Sequence, residues 1–311
     1  MSAQEKLNDP WLVAAWPGMG GVSITAGYYL MAKLGMHQLL EFPGEEFFDI
    51  EQVEVKDGLI VARRLPRSRF FLWKDPKGQR DLIVFISEAQ PPTRGWAFCQ
   101  KVIDQAKVLG VRRVFTFAAM ATTMRPRMDS RVTGSAIDAD TLAQFRRMDM
   151  DILETGTING LNGVLLAMAA VGGLPGGCLL GEIPHVFSQI PFPKAALAVL
   201  EFFCALTGIV LDLDELRQHS RAVERTLEDF LVRMENAVKD EHAQPERQSL
   251  LRESRDRAPK SFTVDSKRIE RLFEAARADR SRAYELKQEL DRLSLFHEFE
   301  DRFLDLFKDP R

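Results

Sequence analysis

A surplus of charge of one sign is missing from this 311-residue chain: 42 Lys and Arg stand against 45 Asp and Glu, leaving a net charge of about -3. No whole-protein field attracts nucleic acid or an anionic membrane, so neither is an expected partner. Cysteine is scarce as well. Cys99, Cys178 and Cys204 are far apart and lie in apolar segments, which excludes a disulfide framework and suits reduced core thiols of a cytoplasmic protein. The five histidines are scattered, and no Cys/His group has metal-ligand spacing, so no metal or other cofactor is expected. The N-terminal MSAQEKLNDP has no basic region leading into an apolar run, and no signal peptide is expected. Long membrane-type runs are missing too. The uncharged stretch 157–181 contains Asn159 and Asn162 and is cut by GGLPGG, while 195–211 carries Glu201 at its centre.

What is present is an alternation of short apolar runs with helical periodicity. WLVAAW (11–16) precedes a helix near 22–34, and DLIVFISE (81–88) precedes one near 94–109. VRRVFTFAAM (111–120) follows, then RVTGSAI (131–137), helices near 139–147 and 158–171, GCLLGEI (177–183) and a helix over 193–210. This pattern predicts a three-layer α/β/α domain over 1–212 with a mainly parallel sheet. QVEV and LIVARRL, joined at Asp57-Gly58, read as a hairpin and suggest that the sheet is mixed.

Near Asp212 the composition changes. Residues 215–311 hold about half of the charged residues, evenly divided between the two signs. Leu216, Val223, Leu227, Phe230, Met234 and Val238 predict one amphipathic helix, with Asp212 and Glu215 as a capping box. Ile269 to Leu293 predict a second long helix, whose stripe then shifts to Phe296, Phe299 and Phe303. The segment 240–263 reads as a linker, so that 213–311 forms a charged helical extension.

Three features invite a chemical reading. In WPGMGG, Trp16 is followed by Gly18, Met19, Gly20 and Gly21, but the third position of a dinucleotide fingerprint is Ser23 and no phosphate-loop lysine follows. A tight turn is the preferred reading, with an anion at the helix start as the alternative. Glu88 and Glu182 end two predicted strands, and if these run parallel to the first, their ends share an edge with the glycine loop. Asn159, Gly160 and Asn162, at a helix start, and His185, after Glu182, complete a candidate crevice. No Gly-x-Ser-x-Gly elbow is present, and no catalytic residue is assigned. Phe47, Phe48, Phe70, Phe71 and Trp73 crowd the 41–76 region. One strand cannot turn all of Phe70 to Trp73 inward, so some are expected at a contact surface.

In order, AAWPGMGG, SEAQPP after DLIVFI, GTINGLNGVLLAMA, GCLLGEIPH and a helix ending in a leucine-aspartate run resemble the proteasome assembly chaperone 2 family of archaea and bacteria, over roughly residues 10–220. The resemblance implies a phosphorylase-like α/β fold without established catalysis, homo-oligomers for which a trimer is the expectation, and protein clients. Proteasome-docking relatives often end in a hydrophobic residue, a tyrosine and one further residue. Here the sequence runs Phe307-Lys308-Asp309-Pro310-Arg311, so that docking mode is not implied. The leading expectation is a non-catalytic, self-associating protein-binding module. The alternatives are a crevice binding a nucleotide or another phosphate-bearing molecule, and a hydrolase using His185 or a glutamate.

Overall fold

The computed structural model describes residues 7–48, 53–56, 58–61, 64–243 and 266–308. The apolar run after Pro10 forms β1 (Trp11–Ala15), with all five residues buried, because a strand covered on both faces needs no polar alternation. It is followed by α1 (Val22–Lys33), β2 (His37–Phe42), a hairpin of β3 (Glu54–Lys56) and β4 (Leu59–Val61), then β5 (Ser68–Trp73) and β6 (Leu82–Ser87). Next come α2 (Gly95–Val108), β7 (Arg113–Thr122), β8 (Val132–Ala136), α3 (Ala139–Arg147), β9 (Asp151–Ile152), α4 (Leu161–Val171), β10 (Gly176–Pro184) and α5 (Pro193–Thr207).

The main sheet has eight strands in the order β2-β5-β6-β1-β7-β10-β8-β9. Its centre, β6, β1, β7 and β10, is parallel. β5 runs antiparallel to β6 and β2, and β8 antiparallel to β10. The sheet is therefore mixed, as expected, but not because of the hairpin: β3 and β4 form a separate two-stranded sheet. One face of the main sheet packs against α2 and α4, with Phe85, Phe98, Val102 and Leu165 in that core. The other face packs against α1, α5 and the C-terminal helices in one continuous core.

The extension begins with α6 (Asp214–Ala243). Leu216 and Leu227 are buried, Val223 is half-buried, and Phe230 and Met234 are exposed, so the apolar stripe leaves the body of the fold in its second half. The side chain of Val238 and most of the expected linker lie outside the described residues. In place of a second long helix the chain forms α7 (Ser266–Ala278), a 3-10 turn (Arg280–Arg282), α8 (Ala283–Arg292) and α9 (Phe296–Leu304). The Asp279 carboxylate, capping the amide of Ser281, ends the first segment. Ser294, at φ +58°, ends α8. The break turns the phenylalanines onto the sheet side: Phe296 and Phe303 meet Tyr28 edge-on at 5.3 and 5.5 Å, and Phe307 meets Phe71 at 6.1 Å.

This covering explains why the aromatic contact surface expected from sequence is absent where it was placed. Phe70 turns toward Phe42 and Phe85 on one face of β5, while Phe71 meets the tail on the other. Both are fully buried, Trp73 is half-buried, and Phe47 and Phe48 pack edge-on against Phe98. Both faces of β5 are covered, one of them by the extension, so the neighbouring Phe70 and Phe71, which point to opposite faces, are both buried. Among the described residues of this region, the exposed apolar ones are instead Val53, just before β3, and Val55, Leu59 and Ile60 of the hairpin, each more than half exposed.

Candidate functional site

The glycine loop joins β1 to α1 through consecutive residues in the left-handed region, Gly20 at φ +60° and Gly21 at φ +58°. A Cβ on Gly20 would also press on Ile183 at 3.2 Å, so the sequence needs glycine here for backbone reasons alone. Three of the amides that could have bound an anion are already used. Gly20 N–H donates to Ser188 O at 2.7 Å, Gly21 N–H to Gly18 O at 3.0 Å, and Val22 N–H to Met19 O. Met19 and Gly18 face solvent, while Trp16 is fully buried, edge-on to Phe85 at 6.5 Å. The loop closes the core and pins the 185–192 segment, because Gly20 O also accepts from Phe192 N at 2.8 Å.

Glu88 and Glu182 do end parallel strands on the loop's edge of the sheet, but they do not meet. β6 and β10 are separated by β1 and β7, three strand spacings or about 14 Å. Glu182 is buried, accepting from Thr122 Oγ1 at 2.7 Å and from Arg131 Nε at 3.2 Å. Burial pushes its carboxyl up, but the bonds from Arg131 and Thr122 outweigh this and hold it below its ordinary value. His185 is exposed, with Nδ1 2.9 Å from Thr122 O; a carbonyl only accepts, so this nitrogen carries the proton. Asn159 and Gly160 are exposed and Asn162 is half-buried. Gln90 fills the space between this turn and the glycine loop, donating to Pro17 O at 2.7 Å and accepting from Leu161 N at 3.3 Å. The single crevice expected from the sequence is thus divided. Gln90 lay unassigned within SEAQPP, and only its place between two loops shows its role.

The cleft that remains over the loop is about 500 Å³, and the extension makes one of its walls. Pro17, Gly21, Tyr28 and Glu88 face Lys287, Phe296, His297 and Glu300 across it, and neither Glu182 nor His185 lines it. The hydrolase geometry, with His185 and both glutamates at one cavity, is therefore not formed. Glu88 is instead a junction. Its Oε1 accepts from Arg69 Nη1 at 3.0 Å, and its Oε2 from Arg64 Nη1 at 2.5 Å and Arg67 N at 2.9 Å. Asp301 of α9 binds the same three arginines, Arg69 at 2.7 Å, Arg67 at 3.0 Å and Arg64, while Glu41 pairs with Arg67. Three cations are thereby matched by three carboxylates.

Glu300 is a fourth carboxylate beside a balanced cluster. It is buried and accepts from Tyr28 Oη at 2.8 Å. Burial, and then the negative charge of Glu88, push its carboxyl up to about 7, against the attraction of Arg64 and Lys287. Because the folded-state value lies above the unfolded one, the stabilisation is full below about pH 4.5 and is lost as pH rises through 7. Over that window this group is expected to lower stability by about 3 kcal/mol. Glu300→Gln should flatten the slope and stabilise the protein at pH 8 in urea titrations. An unchanged pH profile in that variant would refute the assignment.

Comparison with known proteins gives one consistent result. The sequence profile of the PAC2 family matches residues 12–231. An uncharacterized protein of Methanocaldococcus jannaschii is 26% identical over 257 residues, covering 80% of this chain and 93% of that protein. The crystal structure of a PAC2 family protein from Streptomyces avermitilis superposes with a TM-score of 0.62 at 26% identity, covering 71% of this chain and 95% of that one. Pyrococcus furiosus PbaB, described as an archaeal proteasome activator, superposes at 0.61 with 24% identity, covering 72% and 94%. The match over most of the sequence, with the parallel β6-β1-β7-β10 centre beneath it, shows that the chain belongs to the PAC2 family.

Proposed function

We propose that this protein is a non-catalytic, self-associating protein-binding module of the cytoplasm, acting on a protein client in the manner of the assembly chaperones it resembles. The observation that carries the reading is the hairpin β3–β4. It stands apart from the main sheet and exposes Val53, Val55, Leu59 and Ile60. Val55 and Ile60 are a cross-strand pair, and Val53 directly precedes β3. An isolated two-stranded hairpin is marginal in water, and contiguous exposed aliphatics mark a contact surface. The occupant we assign is a second copy of the chain, with a trimer as the expected assembly.

Light scattering after size exclusion at micromolar concentration should give about three times the 35.3 kDa of one chain. Ile60→Asp, on an exposed side chain, should shift the population to monomer with the melting temperature of the folded body retained. A monomeric wild type, or a variant that assembles as the wild type does, would refute this reading.

A further inference from the structure

At the opposite edge of the sheet, where β1 and β7 begin, two arginines lie over one indole and a third lines the cleft beside it. Trp11, 3% exposed, stacks on Phe115 at 5.2 Å. The guanidinium of Arg80 lies 3.8 Å from its ring centroid and that of Arg113 lies 4.8 Å away. Arg112, the residue before Arg113, is exposed, and its backbone is tied by a bond from its N–H to Pro10 O at 2.8 Å. Together with Asp9 and Gln144 they line a cleft of about 320 Å³.

The charges there do not balance. Asp9 pairs with Arg80 at 3.2 Å, and Arg113 donates to the neutral Gln144 Oε1 at 2.8 Å. Arg112 has no side-chain hydrogen bond or carboxylate partner among the described residues. A further anion, Asp138, feels Arg113 but spends its oxygens on Thr141 and on Gly176 N. Among the described residues that line it, the cleft therefore holds three cations and one carboxylate, an excess that repels itself unless an anion is present. Stacking on Trp11 restrains two of the guanidinium groups in advance, which reduces the ordering cost of binding.

We infer that this cleft binds a phosphate group, and that its ligand is a compact diphosphate, either free or carried by a nucleotide. A single guanidinium fork satisfies a planar carboxylate, whereas three forks from three residues match an anion with many oxygens around a tetrahedral centre. Trp11 is already stacked between Phe115 and Arg80, so the ring offers no platform for a base, and recognition rests on the phosphates. The site lies at the amino ends of the parallel strands, away from the edge where ligands of open α/β sheets usually bind. It is independent of the self-association proposed above.

Calorimetric titration of the full chain with pyrophosphate, ADP and citrate tests the assignment. Pyrophosphate should bind saturably with a Kd below about 1 mM and weaken with salt. Arg112→Gln and Arg113→Gln should each weaken it about tenfold or more, and citrate should bind about tenfold less well than pyrophosphate. Equal affinity for ADP points to a nucleotide as the source, and preference for pyrophosphate to the free anion. Absence of saturable binding, citrate binding as tightly as pyrophosphate, or a folded variant binding within twofold of wild type would each overturn the proposal. Arg112→Gln, on an exposed side chain, decides the matter if Arg113→Gln fails to fold.

Discussion

Gly176→Ala is expected to cost more than about 4 kcal/mol and to leave little folded protein. Gly176 opens β10 at φ +146°, a conformation that side-chain-bearing residues rarely adopt. A Cβ there would stand 1.8 Å from Val114 O and 2.8 Å from its carbonyl carbon, and both atoms are backbone. Nothing nearby can yield, because the surrounding amides are all engaged. Val114 N–H donates to Pro175 O, Ile137 N–H to Gly176 O at 2.9 Å, and Gly176 N–H to Asp138 Oδ2 at 3.1 Å. The displacement would pass into the β7–β10–β8 register at the centre of the sheet. Soluble yield and the urea midpoint are the measurements. A variant within 1 kcal/mol of wild type would show that the strand enters the sheet differently.

Arg69→Met is expected to cost about 3–5 kcal/mol, the range for removing one partner of a buried charge pair. Arg69 is fully buried between Glu88 of the body and Asp301 of α9, and the Glu88 side chain is only 4% exposed. Without the guanidinium, the nearly buried Glu88 side chain loses the partner of its Oε1, and Asp301 loses its 2.7 Å bond to Arg69. The effect should extend to the extension. Amide exchange in α9 should quicken more than in α4 on the far face of the sheet. Asp301→Asn combined with Arg69→Met should cost less than the two single changes added together. Strict additivity, with α9 as protected as in wild type, would show that the extension is held by its phenylalanines alone.

The parallel centre was legible because β1, β6, β7 and β10 are apolar runs long enough to be buried on both faces, each set off by a turn or a helix. β2 and β5 were not, since HQLLEF mixes polar and apolar residues and SRFFLW places a buried arginine among aromatics. That arginine is paired with carboxylates 19 and 232 residues away, and local sequence contains no trace of them. The tail's break left one signal, the shift of the stripe at Phe296, which a single straight helix could not have buried.

The glycine loop shows where the division falls. Its residue types dictate a tight turn into a helix, because Gly20 and Gly21 adopt angles that few other residues tolerate. Whether the amides of such a turn stay free for an anion depends on what lies against them, and here Ser188 O, from the segment after β10, takes the one on Gly20. The positions of Glu88 and Glu182 at strand ends likewise follow from the sequence pattern. Their separation depends on strand order, which places β1 and β7 between them. The sequence by itself determined the strands of the parallel centre, the charge balance and the family. Only the tertiary structure decided which charges meet, because pairing in space follows strand order and the path of the extension rather than distance along the chain.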